Sequence, residues 1–178
     1  LALGFAHPDV NYAVVEQIKR VTHVKSGCLT PARIKFCIKV ADLSPGQVKG
    51  GRVCINNEGG GFAIEAAMKL AMIASKGGDS FLTFFHGYHG SSLATMSATQ
   101  PFHIATRFRP FGLDRFTRVP FPHCYHCLWK YKNGLYGKRD PKCNLECFDL
   151  VDKYLMGNAP SRLAGVILEP WQGAGGHY

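Results

Sequence analysis

Apolar residues recur every three or four positions from Val10 to Val21. This spacing is typical of one face of an α-helix, and it predicts helix through much of the segment 7–38. The Gly27–Pro31 stretch interrupts the pattern because glycine and proline break helices. A second short helix is therefore expected over 31–41, ahead of a Ser-Pro-Gly turn.

The rest of the chain alternates short apolar runs with glycine-rich turns and helices. The runs Arg52–Asn56, Ser80–Phe85 and Leu163–Leu168 have the length and residue types of β-strands. Helices are predicted at Phe62–Ser75, which is rich in good helix formers, and at Asn144–Leu155. Strands that alternate with helices in this way indicate α/β architecture with a mainly parallel sheet.

One long stretch, 100–137, shows neither the spacing of apolar residues typical of a helix nor that typical of a strand. It is rich in proline, arginine and aromatic residues, and we interpret it as an irregular excursion with a functional or interface role. The predicted organisation is thus an N-terminal helical segment, 1–45, followed by an α/β domain, 46–178. This domain contains the irregular, cysteine-containing excursion at 100–143.

Composition narrows the classes of function. The chain has 178 residues, 46% of them hydrophobic and 19% charged, as in an ordinary globular protein. Its formal charge of +9 comes from scattered lysines and arginines rather than from a basic stripe, so no nucleic-acid partner is expected. The sequence contains neither a run of 18 apolar residues nor a secretory signal, so we expect a cytoplasmic protein with no membrane partner.

Three glycines, Gly59 to Gly61, stand between a predicted strand and a predicted helix. Glycines let the backbone approach a ligand, and the N–H groups of a first helical turn bind phosphate. No Gly-Lys-Ser/Thr follows, so the motif is not a P-loop, and its spacing is not that of a dinucleotide site. It predicts either a phosphate site or an ordinary tight turn.

Polar loops follow two other predicted strands. Tyr88 and His89 come after Ser80–Phe85, while Glu169 and Gln172 follow the last apolar run. Ligands of open α/β sheets bind at the carboxyl ends of the strands. An aromatic ring held there between glycines can stack on a planar cofactor, although a plain surface loop has the same local pattern.

Four segments, taken in order, resemble the class III (omega) aminotransferases, which depend on pyridoxal phosphate. They are Gly4–Val10, Gly60–Ala71, Tyr88–Gly90 and Glu169–Gly173. The resemblance implies an α/β fold, a partial three-layer α/β/α large domain of the aspartate-aminotransferase-like (fold type I) transferases. It also implies a homodimer that moves an amino group from an amine or amino acid to a keto acid.

The resemblance further implies five cofactor-binding residues. Gly60 and Gly61 would hold the phosphate of pyridoxal 5'-phosphate. Tyr88 would stack on the pyridine ring, and His89, next to it, would shape the pocket. Glu169 corresponds to an acid of the family's site.

Several positions depart from the family's pattern. Phe5 stands in place of a histidine, and Phe62 in place of a glutamate. Gly61 replaces the usual serine or threonine, which removes a hydroxyl from the phosphate site. Ala174 replaces a glutamate that pairs with a mobile arginine in many members, which makes an amine or another unusual amino donor conceivable.

No catalytic residue is expected within the chain. The family's Schiff-base lysine, and the aspartate that bonds the pyridine nitrogen, both lie after the segment matching Glu169–Gly173, beyond Tyr178. Lys69 is not a substitute, because its place four residues after Glu65, itself a site or near-site acid by the resemblance, fits a helical surface pair. We therefore expect a fragment that is itself inactive, of a transaminase or of a pyridoxal-phosphate lyase or racemase of the same fold.

Four of the seven cysteines form two close pairs. They are Cys124, Cys127, Cys143 and Cys147. Two such pairs can bind zinc tetrahedrally, which would suit a zinc-binding or interaction module with no catalytic role. Resemblance to the 4-aminobutyrate branch of the family implies an iron–sulfur cluster as the second possibility. The third possibility is that the cysteines bind no metal and pack an interface loop.

Overall fold

The computed structural model describes most of the chain, namely residues 2–25, 27–56, 58–99, 115–131, 139–157 and 163–176. The chain divides into two compact units, 1–54 and 55–178. The excursion predicted at 100–137 is only partly covered, since 100–114 and 132–138 lie outside the described residues.

Two helices make up most of the first unit. Helix α1 covers Pro8–Arg20, and its Asp9 near the start and basic residues in the last turn complement the helix dipole. Helix α2 covers Pro31–Leu43 and is capped by the Thr30 hydroxyl, which accepts a hydrogen bond from the Arg33 N–H at 3.2 Å. A 3-10 turn, Gly46–Val48, follows. Both predicted helices are confirmed, and neither buries a residue.

A three-stranded parallel sheet is the centre of the second unit. Strand β1, Ser80–Phe84, lies between β2, Phe116–Val119, and β3, Leu163–Val166. Every residue of β1 is buried, as expected for the central strand of a parallel sheet covered on both faces. The apolar run therefore shows no alternation with polar residues.

Helices cover both faces of this sheet. Helices α3, Gly60–Ala74, and α4, Leu93–Ala98, pack on the face of Phe81. Helix α5, Glu146–Gly157, packs on the opposite face, where Leu82 contributes to a second apolar cluster. The described part is thus a three-layer α/β/α arrangement, as predicted.

Two strand assignments made from the sequence were wrong. The run Arg52–Asn56 forms no strand, because its β-type residues find no partner in the described sheet. Conversely, Phe116–Val119 lies inside the supposedly irregular excursion yet pairs with β1, and the Phe81 N–H donates to the Arg115 carbonyl at 2.8 Å. Pairing with a neighbour, rather than local pattern, decides such short strands.

Helix α3 begins two residues earlier than expected. Its first residue is Gly60, and Gly59, with φ of +103°, precedes it in a conformation that favours glycine. Two of the three glycines therefore belong to the first helical turn itself. None of the described helices is both long and apolar enough to cross a membrane.

Truncating a buried side chain of the central strand tests this core. Leu82 is 1% exposed, so Leu82→Ala leaves a cavity between β1 and α5 and is expected to lower the free energy of unfolding by about 2–5 kcal/mol. The matched control is Leu70→Ala on α3, where the leucine is 67% exposed and the expected change is within about 0.5 kcal/mol. Urea denaturation measures both, and equal losses would contradict the assignment of the core.

Candidate functional site

A cavity of about 760 Å³ opens where the strands of the sheet end. Its walls come from the first turn of α3, the loop after β1 and the loop after β3. All five residues predicted from the resemblance to bind the cofactor line it: Gly60, Gly61, Tyr88, His89 and Glu169. Parallel pairing of β1 with β3 brings these separate segments to one edge of the sheet.

The first turn of α3 presents its backbone to this cavity. The N–H groups in the first turn of a helix have no partner within the helix. In α3 no side chain caps them either. A Cβ atom placed on Gly60 would meet no atom within 4 Å, so the space in front of this turn is open. The turn therefore offers hydrogen-bond donors and a positive dipole end to an anion.

Gly90 allows the loop after β1 to touch this helix. Its φ is +134°, and a Cβ placed there would lie 2.8 Å from the Gly61 Cα and 2.5 Å from the Thr95 Oγ1. Only a residue without a side chain fits this approach. Gly61 is less constrained, since a Cβ added to it would lie 3.4 Å from the Thr95 Oγ1, at ordinary contact distance.

A chain of hydroxyl groups ties α3 to α4 behind the cavity. The Ser92 hydroxyl donates to the Glu65 carboxylate, and the Ser92 Oγ and Thr95 Oγ1 are 2.7 Å apart. Because the single proton of Ser92 goes to Glu65, Thr95 is the donor to Ser92. Among the described residues no ion pair joins Glu65 to Lys69, so the predicted surface pair was wrong.

Ser92 and Thr95 are not among the residues predicted from the sequence. Their signal was present, since hydroxyl residues directly follow Tyr88–Gly90 and mark the N-terminus of a helix. What the sequence could not supply was their partner, because Glu65 is distant along the chain and meets Ser92 where the loop with Gly90 approaches Gly61.

Two side chains connect the loop after β3 to the loop after β1. The Glu169 Oε1 accepts a hydrogen bond from the Tyr88 N–H at 2.7 Å, and its Oε2 accepts one from the Gly173 N–H at 3.3 Å. The Gln172 amide is fully buried and donates from Nε2 to the Phe85 carbonyl at 2.9 Å. Tyr88 stays 47% exposed and lines the cavity.

His89 is buried in the cavity wall. Its backbone N–H donates to the Thr99 hydroxyl at 2.9 Å, whereas its Nε2 has no hydrogen-bond partner among the described residues. Burial lowers the pKa of the imidazole, and the nearby Glu169 carboxylate opposes this shift only in part. The ring is therefore held neutral near pH 7.

The four paired cysteines line a second, much smaller cavity of about 40 Å³. In the part of the chain that the structure describes, no three side chains of histidine, cysteine, aspartate or glutamate are grouped to hold a metal. Burial raises the pKa of the Cys147 thiol, and backbone hydrogen bonds partly oppose this shift. The zinc and iron–sulfur hypotheses are not supported.

The same small cavity is bordered by a tyrosine–glutamate pair. The Tyr131 phenol donates to the Glu146 carboxylate, and this hydrogen bond raises the pKa of Tyr131 to about 12. Glu146 also begins helix α5. The pair thus joins the segment after β2 to the start of α5, which is a structural task.

Comparison with known families and proteins gives one consistent result. The family model described as Aminotransferase class-III matches residues 1–178. A probable 4-aminobutyrate aminotransferase of Bacillus subtilis (strain 168) is 28% identical over 99% of this chain and 38% of its own length. An alanine/serine racemase of Pyrococcus horikoshii is 25% identical over 97% of this chain and 36% of its own length. The chain thus spans little more than a third of these relatives.

Solved structures show the same likeness in three dimensions. A pyridoxal-phosphate-bound aminotransferase mutant from Vibrio fluvialis superposes with a TM-score of 0.77 at 24% identity, covering 98% of this chain and 38% of that one. At this level of identity, the likeness shows the fold.

Adding one methyl group tests the contact between the loop and α3. Gly90→Ala is expected to lower the free energy of unfolding by about 2–4 kcal/mol, because the Cβ meets backbone and the φ is unfavourable. Gly60→Ala, in the same cavity wall but facing open space, is the control and should change stability by less than about 1 kcal/mol. Chemical denaturation compares the two, and a harmless Gly90→Ala would contradict the close contact.

The lowered pKa of His89 predicts that the stability of the folded chain depends on pH. Its pKa is below the ordinary 6.5 in the folded chain, so the unfolded chain binds the proton more readily. The stability contributed by the neutral ring is complete above about pH 6.5 and is lost as the pH falls toward the folded pKa. Unfolding measured from pH 7.5 to 5 should show a smaller loss in His89→Gln, and an unchanged loss would contradict the burial of this imidazole.

Proposed function

Because the chain belongs to the class-III aminotransferases, we propose that the whole protein transfers an amino group from an amine or amino acid to a keto acid, using pyridoxal 5'-phosphate. The observation that carries the proposal is one cavity lined by an open helix N-terminus, an exposed tyrosine and a buried histidine. Cytoplasmic location stays a prediction from the sequence. Homodimer formation, with the excursion 100–137 at the subunit interface, stays a prediction of the resemblance.

The residues present fit this cofactor. The open space at Gly60 leaves room for a phosphate against the first turn of α3, where the backbone supplies the donors. Tyr88 is exposed and can offer its ring to a flat pyridine, and His89 lines the same cavity. The cavity volume also lies in the range of cofactor sites.

Each residue then has a binding task. Gly60 and Gly61 hold the phosphate through N–H groups alone, since Gly61 has no hydroxyl. Tyr88 orients the ring, and His89, kept neutral by burial, shapes the wall beside it. When bound, pyridoxal phosphate supplies an electron sink for the substrate carbanion. The lysine and aspartate that complete such a site in the family are expected outside this chain.

A titration of the purified protein tests the phosphate site. Pyridoxal phosphate should bind more tightly than pyridoxal, because only pyridoxal phosphate has the phosphate group that the first turn of α3 binds. Gly61→Ser restores a hydroxyl in a position with room for its Cβ, and it should raise the affinity for pyridoxal phosphate roughly tenfold. Gly27→Ser, in the other compact unit, serves as the control and should change nothing.

Tryptophan fluorescence follows this binding, because Trp171 directly follows the cavity residue Pro170. Equal affinities for pyridoxal and its phosphate would argue against the phosphate site. Isothermal titration calorimetry provides the second readout, independent of any chromophore.

The second candidate function is racemisation by the same cofactor, which the relative of that name favours. An assay of the whole protein distinguishes the two. Transamination produces a new amino acid from a keto acid and consumes the amino donor, whereas racemisation changes only the chirality of one amino acid. Activity in the 178-residue chain alone would contradict the prediction that it contains no catalytic residue.

A further inference from the structure

The loops after β1 and β3 are joined by two hydrogen bonds of opposite polarity. In one, the Glu169 carboxylate accepts from the Tyr88 N–H at 2.7 Å. In the other, the Gln172 amide donates to the Phe85 carbonyl at 2.9 Å. The partners are three residues apart on both loops, so each loop is held at two points rather than one. We call this pair of bonds the loop clamp.

The clamp encloses a strained turn. His86 lies between the two clamped positions of the β1 loop and has φ of +66°, a left-handed conformation that is uncommon for residues other than glycine. The Phe85 N–H donates to the Val119 carbonyl at 2.9 Å, which ties the start of the turn to β2. Such a conformation persists only where the surroundings hold it, and the clamp holds the side that faces β3.

The two side chains of the loop clamp, Gln172 and Glu169, differ in how deeply they are buried. Gln172 is 0% exposed, so loss of its bond leaves the Phe85 carbonyl without that partner in the interior. Glu169 is half-buried and keeps a second bond, from the Gly173 N–H at 3.3 Å, that stiffens its own loop. Gln172 thus fixes the base of the turn, and Glu169 fixes its end, where the exposed ring begins.

From this arrangement we propose that Glu169 and Gln172 are positioning residues that act through the backbone of the β1 loop, Glu169 at Tyr88 and Gln172 at Phe85. The proposal rests on the proposed function, in which the Tyr88 ring orients the cofactor. It assigns a different task to Glu169 from the cofactor-binding role implied by the resemblance, because both carboxylate oxygens accept bonds from backbone N–H groups. What the acid contributes is an acceptor in the right place, rather than its charge.

Two substitutions at one position separate these roles. Glu169→Gln removes the charge but keeps a side-chain oxygen that can accept from the Tyr88 N–H. Glu169→Ala removes the acceptor altogether. Glu58→Ala is the matched control, since Glu58 is an exposed acid that lines the same cavity. Gln172→Met, similar in length but apolar, tests the other half of the clamp.

Amide hydrogen exchange of the cofactor-free protein reads the clamp directly. The measured quantity is the ratio of the exchange rate of the Tyr88 amide to that of Leu82 in the buried central strand, and the Leu82 rate by itself reports any general loss of stability. We expect this ratio to rise at least tenfold in Glu169→Ala and to stay within about twofold in Glu169→Gln and Glu58→Ala. In Gln172→Met we expect faster relative exchange at Gly87, inside the turn.

Pyridoxal phosphate titration of the same variants completes the test. Affinity should fall about tenfold in Glu169→Ala and remain near that of the unmodified protein in Glu169→Gln. An unchanged Tyr88 exchange ratio in Glu169→Ala would overturn the proposal. So would a loss of affinity in Glu169→Gln with the ratio intact, because the charge would then act on the cofactor itself. Failure of the unmodified protein to bind pyridoxal phosphate would instead overturn the proposed function, while the exchange ratios would still decide whether the clamp exists.

Discussion

Parallel pairing of β1 with a strand on each side is the constraint on which the cavity depends. Parallel strands end at one edge, so the loops after β1 and β3 emerge side by side although about 80 residues separate them. Because β1 is buried on both faces, a shift in its register would move the apolar clusters of α3 and α5 as well as the loops. The core and the candidate site are therefore stabilised by the same hydrogen-bond ladder.

The site is built mainly from backbone atoms that side chains hold in place. The first turn of α3 offers N–H groups, and Gly90 brings the β1 loop against it at a distance that only glycine permits. Behind this contact, Thr95, Ser92 and Glu65 form a chain of hydrogen bonds between two helices. Rigid supports of this kind are what a cofactor site needs, since a ligand that is held by fixed donors costs little reorganisation.

The regular elements followed from local pattern to a useful degree. Helical spacing predicted α1, and helix-forming residues predicted α3, because each of these signals lies within one segment. Local pattern failed for two short segments: it missed the strand Phe116–Val119 and predicted a strand at Arg52–Asn56 that does not form. A strand of four or five residues exists only if a neighbour pairs with it. The paired cysteines illustrate the same limit, because their spacing suited a metal that their arrangement does not support.

The sequence by itself determined the family, the glycine turn and the order in which Gly60, Tyr88 and Glu169 occur, because these are properties of short motifs. Tertiary structure decided what those residues do to one another. It gave the Glu169 carboxylate a backbone N–H of the Tyr88 loop, and it gave Glu65 the hydroxyl of Ser92 instead of Lys69. Such contacts depend on which loops the sheet brings together, and no local pattern encodes the position of a partner that is distant along the chain.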